Sequence, residues 1–108
     1  MIIYGISTCD TTKKALKVLA QAGHDPQFRD VRTDPLTPSE IELIVREFGD
    51  RAVNKQSTTY RGLSEYLRHA EPEAQIAAHP TVMKRPVIQS PQGWFIGWDD
   101  KIEAALLG

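Results

Sequence analysis

Cys9 is the chain's only cysteine, and it stands in Ser7-Thr8-Cys9-Asp10-Thr11-Thr12, a short polar run rich in helix-capping residue types. A thiol at a helix start meets backbone N–H groups that have no intrahelical partner, and a helix start favours an exposed anion by ~0.3–1 kcal/mol. A thiolate is such an anion. The position therefore predicts a Cys9 pKa below that of a free thiol, and a depressed pKa makes a cysteine nucleophilic at neutral pH. Asp10 opposes this by like charge, so Lys13 and a basic residue from later in the chain must outweigh it. The competing reading is a thiol that only fills space under the helix. The place at the mouth of a strand-to-helix turn and the polar neighbours favour the functional one.

Arg85-Pro86 is the second informative pair. It precedes a short strand, where a proline cannot donate to a sheet ladder. From the residues alone its peptide bond is expected to be trans, since only ~5–6% of X–Pro bonds in folded proteins are cis. Arg85 read alone is a solvated surface charge, as are Lys13, Lys14, Lys55 and Arg61. His24, His69 and His79 are scattered and, with one cysteine, give no metal-ligand spacing. No metal is expected. Trp94 and Trp98 alternate about Ile96 and are read as packing residues of a sheet.

The elements that must position these residues follow from the hydrophobic pattern. Met1 to Ile6 is a nearly continuous apolar run, as in a strand buried on both faces. Ala15, Leu16, Val18, Leu19 and Ala22 then form a helical stripe closed by Gly23, and Gln27 to Val31 reads as a second strand. Strand, helix and strand in this length predict a parallel pair with a right-handed crossover. Thr37-Pro38-Ser39-Glu40 carries a capping box with proline at the first helical position, ahead of Ile41, Ile44, Val45 and Phe48. Asp50 to Arg61 is polar and irregular. Shorter helical patterns follow, one around Leu63, Tyr66, Leu67 and Ala70 and one from Pro72 to about His79. Val87-Ile88-Gln89 and Trp94-Phe95-Ile96 form an antiparallel hairpin about Ser90-Pro91-Gln92-Gly93, and Asp99 caps a last helix. The fold class is α/β: a mixed four-stranded sheet built β-α-β, helical insertion, β-β-α. The chain reads as one domain, 1–108, with the insertion at about 37–83.

Composition bounds the rest. A chain of 108 residues, 41% hydrophobic and 25% charged, has room for one core without disulfides. With 13 basic and 14 acidic residues the net charge is -1, which argues against a partner held through its phosphates, so no nucleic acid is expected. No apolar run approaches the roughly 18 residues of a membrane span, and the first residues show no secretion signal. A cytoplasmic protein, with no membrane partner, is expected, in a compartment where thiols stay reduced.

The residues then point to a family. Tyr4-Gly5-Ile6-Ser7-Thr8-Cys9-Asp10-Thr11-Thr12-Lys13-Lys14-Ala15 resembles the opening of the arsenate-reductase/Spx family, above all its small bacterial thiol-reductase branch. Asn54-Lys55-Gln56-Ser57-Thr58-Thr59-Tyr60-Arg61 resembles an Asn-Lys-x-x-Thr-Thr-aromatic-Arg segment of that branch. Lys84-Arg85-Pro86-Val87-Ile88 resembles the family's Arg-Pro-Ile/Val motif, and Ile96-Gly97-Trp98 its Gly-aromatic ending. The resemblance implies a thioredoxin-like core with a helical insertion. It implies Cys9 as nucleophile, Arg85 beside it to hold an oxyanion or a glutathione carboxylate, and Pro86 in cis facing the thiol, against the residue-level expectation. By the same resemblance Asp10, Thr11, Thr12, Lys13, Asn54, Lys55, Arg85 and Pro86 surround the bound substrate or glutathione.

Two departures shape the functional expectation. Arsenate reductases of this family place a set of arginines around the oxyanion. Arg85 is kept, but Asn54 and Trp98 stand where the others belong, and Lys55 offers a point charge without a bidentate fork. The regulator Spx carries Cys-x-x-Cys at the first turn, where this chain has Thr12, which excludes an internal disulfide switch. The leading expectation is a monomeric monothiol reductase with no bound cofactor and glutathione as co-substrate, acting on a small-molecule or disulfide substrate. An Spx-like interaction protein docking on RNA polymerase or another protein is the alternative, and arsenate reduction ranks third.

Overall fold

A computed structural model describes residues 1–108. The chain forms two compact units, one from Met1–Asp30 together with Arg85–Gly108, the other from Val31–Lys84. The insertion expected at about 37–83 falls inside the second.

The first unit holds strands β1 (Ile2–Gly5), β2 (Gln27–Asp30), β3 (Val87–Ser90) and β4 (Gly93–Ile96) with helices α1 (Asp10–Gln21) and α6 (Asp100–Leu107). The sheet order is β2-β1-β3-β4, with β1 parallel to β2 and antiparallel to β3, and β3 antiparallel to β4. This is the mixed four-stranded sheet read from the apolar runs. One cross-strand row ties it together, since Ile3 is paired with Phe28 on one side and Ile88 on the other, and Ile88 is paired with Phe95. Paired residues point to the same face. Leu16 and Leu19 of α1 and Ile102 and Leu106 of α6 cover that face, with Met1 and Trp98 at its margin. Ile3, Leu19 and Ile88 are wholly removed from solvent. Each stabilises the fold by roughly 1.5–3 kcal/mol. The stripe at helical spacing thus turns α1 toward the sheet and fixes where its first turn lies.

Helix ends follow local chemistry. Gly23 takes φ +90, a conformation in which L side chains are strained. There its N–H reaches the Ala20 carbonyl at 3.1 Å and the His24 N–H reaches Leu19 at 3.0 Å, the paired bonds of a Schellman stop. The Asp99 side chain accepts from the Ile102 N–H at 2.9 Å and starts α6, as its sequence predicts.

The second unit is helical: α2 (Pro38–Phe48), α3 (Thr58–Arg61), α4 (Glu65–Arg68) and α5 (Pro72–Ala78), with 3-10 turns at Gly49–Ala52 and Pro80–Val82. The capping box of α2 is formed, Thr37 N–H donating to Glu40 at 2.8 Å and Glu40 N–H to Thr37 Oγ1 at 3.2 Å. Ile41, Ile44, Ile76, Val82 and Met83 are buried here. So is Gln75, whose Nε2 donates to the Leu67 and Arg68 carbonyls at 2.7 and 3.3 Å, closing the end of α4.

Three expectations need correction. The second strand ends at Asp30, opposite Gly5, the last residue of β1, and the Asp30 carboxylate accepts the Ser7 N–H at 3.1 Å. Asp50 to Arg61 is not irregular throughout: it contains the 3-10 turn and α3, the latter started by Ser57 Oγ accepting from Tyr60 N–H at 3.0 Å. The helical pattern around Leu63 to Ala70 shrinks to the single turn of α4, with Tyr66 83% exposed, since Ser64 and the buried Gln75 fix both ends within one turn.

Candidate active site

β1 carries the chain to Gly5, and a tight turn follows in which the Cys9 N–H donates to the Ile6 carbonyl at 3.0 Å. That turn sets Cys9 at the N-cap of α1, in extended conformation, while its own carbonyl accepts the first helical bond from Lys13 N–H at 2.9 Å. A Ser or Asp in this place would accept from the N–H groups of the second and third helical residues. Cys9 makes no side-chain cap of that kind. Those two N–H groups, of Thr11 and Thr12, are nevertheless the ones that stabilise its sulfur when ionised.

Arg85 arrives from the far end of the chain by register. Val87 lies opposite Tyr4 in the antiparallel β1–β3 pair, so the residues before Val87 run alongside those after Tyr4. The Arg85-Pro86 peptide bond is cis, which corrects the trans expectation drawn from the residues alone and agrees with the resemblance. Pro86 is fully buried, and its carbonyl accepts from the Gly97 N–H at 2.8 Å.

Partial burial pushes the Cys9 thiol up, but the Thr12 hydroxyl, the Thr12 N–H, the Arg85 guanidinium and the Thr11 N–H together outweigh it and hold the thiol below its ordinary pKa. Hydrogen bonds to the charged form and a nearby cation act in the same direction. Neither Asp10 nor Lys13 is among the groups that move the thiol, and both side chains are exposed. The basic residue from later in the chain that must favour the thiolate is Arg85.

Of the residues singled out from sequence, the first unit thus brings together Cys9, Thr11, Thr12 and Arg85, with Pro86 adjoining Arg85. Asn54 and Lys55 belong to the second unit. There the Asn54 N–H donates to Val82 at 2.9 Å, its Oδ1 accepts from Gln56 N–H at 3.0 Å, and its carbonyl accepts from the Ser57 hydroxyl at 2.7 Å. Asn54 therefore builds the turn into α3. Lys55 lines a small polar recess with Asp50, Tyr60 and Arg68. No group of three or more His, Cys, Asp or Glu side chains forms a metal site. Sequence reasoning missed Gly5. The available signal was a glycine closing an apolar strand, which often marks a close approach of another group to the backbone.

The profile of the ArsC family matches residues 4–105. The chain belongs to the ArsC family. An uncharacterized protein of Haemophilus influenzae is 38% identical over 104 residues, covering 92% of this chain and 91% of that one. Among solved structures, the YFFB protein superimposes with a TM-score of 0.89 at 26% identity, covering 99% of this chain and 98% of its own. An arsenate reductase related protein from Brucella melitensis gives 0.75 at 29% identity, over 95% and 91%. The fold of these ArsC relatives is thioredoxin-like, and the mixed sheet order described above is the same fold. No helix is long and apolar enough to cross a membrane.

Proposed function

We propose that this ArsC-family protein is a monothiol reductase that draws its electrons from glutathione. The observation that carries the reading is the Cys9 sulfur at the start of α1, with two backbone N–H groups, the Thr12 hydroxyl and the Arg85 guanidinium all favouring its anion. A thiolate so stabilised attacks one sulfur of a disulfide R–S–S–R′. The Cys9–S–S–R bond forms, the R–S–S–R′ bond breaks, and R′–S⁻ leaves with the electron pair. With one cysteine in the chain, the resolving thiol comes from outside. A glutathione thiolate attacks the R sulfur, giving the R–glutathione disulfide and returning Cys9 as thiolate. Its low pKa makes Cys9 a good leaving group in that second step. Arg85 is proposed to pair with a carboxylate of glutathione, with Asp10, Thr11, Thr12 and Lys13 completing the proposed binding loop. The proposed reductase is a monomer working in the reducing cytoplasm. Arsenate as substrate ranks behind this, because Arg85 is kept while Asn54 and Trp98 stand in the places of the family's other arginines.

The experiment is a glutathione-coupled assay on a small mixed disulfide, run beside the pH profile of Cys9 alkylation by iodoacetamide. Turnover that vanishes in Cys9→Ser, with alkylation of the native chain already fast near neutral pH, supports the reading. Alkylation with the midpoint of an ordinary thiol, ~8.5, or turnover that survives Cys9→Ser, overturns it.

A further inference from the structure

Thr12 occupies the third position of α1 and is fully buried, yet its Oγ1 has no conventional hydrogen-bond partner. Buried hydroxyls are satisfied in most proteins, so an exception needs a reason. Residue 5 supplies part of it. A Cβ at Gly5 would lie 2.5 Å from Thr12 Oγ1 and 2.6 Å from Thr12 Cγ2, closer than any real Cβ contact. Gly5 is not among the glycines with positive φ, so space and not backbone freedom excludes a side chain there. The clash has no easy relief. β1 is an inner strand paired on both sides, with Gly5 opposite Asp30 and Tyr4 opposite Val87. α1 in turn is held by its buried Ala15 and Leu19. The strand therefore leaves the Thr12 side chain one place to sit, against the bare backbone of Gly5.

We propose that Gly5 is a positioning residue: its missing side chain seats Thr12 so that the Thr12 hydroxyl serves as the dedicated donor to the Cys9 thiolate. This deepens the reductase reading and rests on it for its consequence in turnover, whereas the acidity of the thiol is measurable whether or not turnover is found. The direction of the Cys9 shift agrees, since the Thr12 hydroxyl comes first among the groups that lower it. Thr12 also occupies the position of the second cysteine of a Cys-x-x-Cys pair. A hydroxyl there can steady the nucleophile but cannot displace what becomes bound to it.

The test is the pH midpoint of Cys9 alkylation, with thermal melting as the check on folding. Thr12→Ala raises the midpoint by roughly one pH unit, the size of one charge-assisted hydrogen bond. Thr12→Ser keeps the donor and stays near the native midpoint. Gly5→Ala raises the midpoint, and Gly5→Ala in the Thr12→Ala background raises it no further than Thr12→Ala alone. Should Gly5→Ala fail to fold, the double variant, freed of the two closest atoms and left only with the residue 12 Cβ at 3.1 Å, recovers most of the melting temperature of Thr12→Ala. An unchanged midpoint in Thr12→Ala, additive midpoints in the double variant, or a double variant that melts far below Thr12→Ala overturns the inference. Because none of these readouts requires turnover, loss of the inference and loss of the reductase reading are seen separately.

Discussion

Val87 stands directly opposite Tyr4 across the β1–β3 ladder, and this one pairing delivers Arg85 to the loop that bears Cys9. The thiol and the guanidinium are far apart in sequence, yet the register of two four-residue strands sets them side by side. A slip of one residue in that ladder would turn Val87 and Ile88 to opposite faces and carry Arg85 away from the sulfur.

Arg85 is therefore expected to set the acidity of Cys9 through charge. Arg85→Gln raises the midpoint of Cys9 alkylation by about one pH unit, and Arg85→Lys recovers part of the shift as a point charge. Iodoacetamide kinetics across pH, with melting recorded for each variant, measure this. Equal midpoints in native protein and Arg85→Gln would show that the guanidinium is a bystander.

Stability is expected to depend on the same proton. The folded thiol has a lower pKa than the unfolded one. The folded state therefore binds fewer protons between the two values, and this contribution is complete above the unfolded pKa and lost as pH falls through the folded one. Urea denaturation under reducing conditions should show native protein gaining on Cys9→Ser as pH rises through that window. A difference that stays flat or shrinks there contradicts the shift.

The Ser7–Asp30 bond ties the thiol loop to the end of β2. Asp30→Ala removes the acceptor and should cost about 1 kcal/mol, because the site is exposed. Hydrogen exchange at the Ser7 amide reads it directly. Protection lost at Ser7 and kept in the Ile3–Ile88 region is the expected pattern.

Thr37 and Glu40 cap α2 reciprocally, so Thr37→Ala should destabilise by ~1 kcal/mol without touching the thiol. Lower melting with an unchanged alkylation profile is the result to look for. A shifted profile would mean that the cap reaches the chemistry.

Much of this was legible beforehand, for reasons that differ by residue. The four strands follow from short apolar runs bounded by polar turns and α1 from a stripe at helical spacing, and the cap residues Thr37, Asp99 and Gly23 announce their roles by type. Cys9 was legible because a strand running into polar capping residues defines a helix start. What escaped was set by tertiary partners. The Asp30 side chain reaches an amide distant in sequence. Tyr66 looks apolar in a helical pattern but belongs to a single exposed turn. The short turns between Asp50 and Arg61 rest on Ser57 and Asn54 bonds that carry no hydrophobic signature. The importance of Gly5 lies in the width of Thr12, which no spacing rule reveals.

α1 both lines the core row, through Leu16 and Leu19, and presents its first turn to the sulfur. It cannot tilt without losing its packing on the row Phe28, Ile3, Ile88 and Phe95. The dipoles around Cys9 are thus oriented when the chain folds, and little solvent or backbone rearrangement is left for the moment of attack. Damage to the hydrocarbon interior should for that reason surface as a duller nucleophile before it surfaces as an unfolded chain.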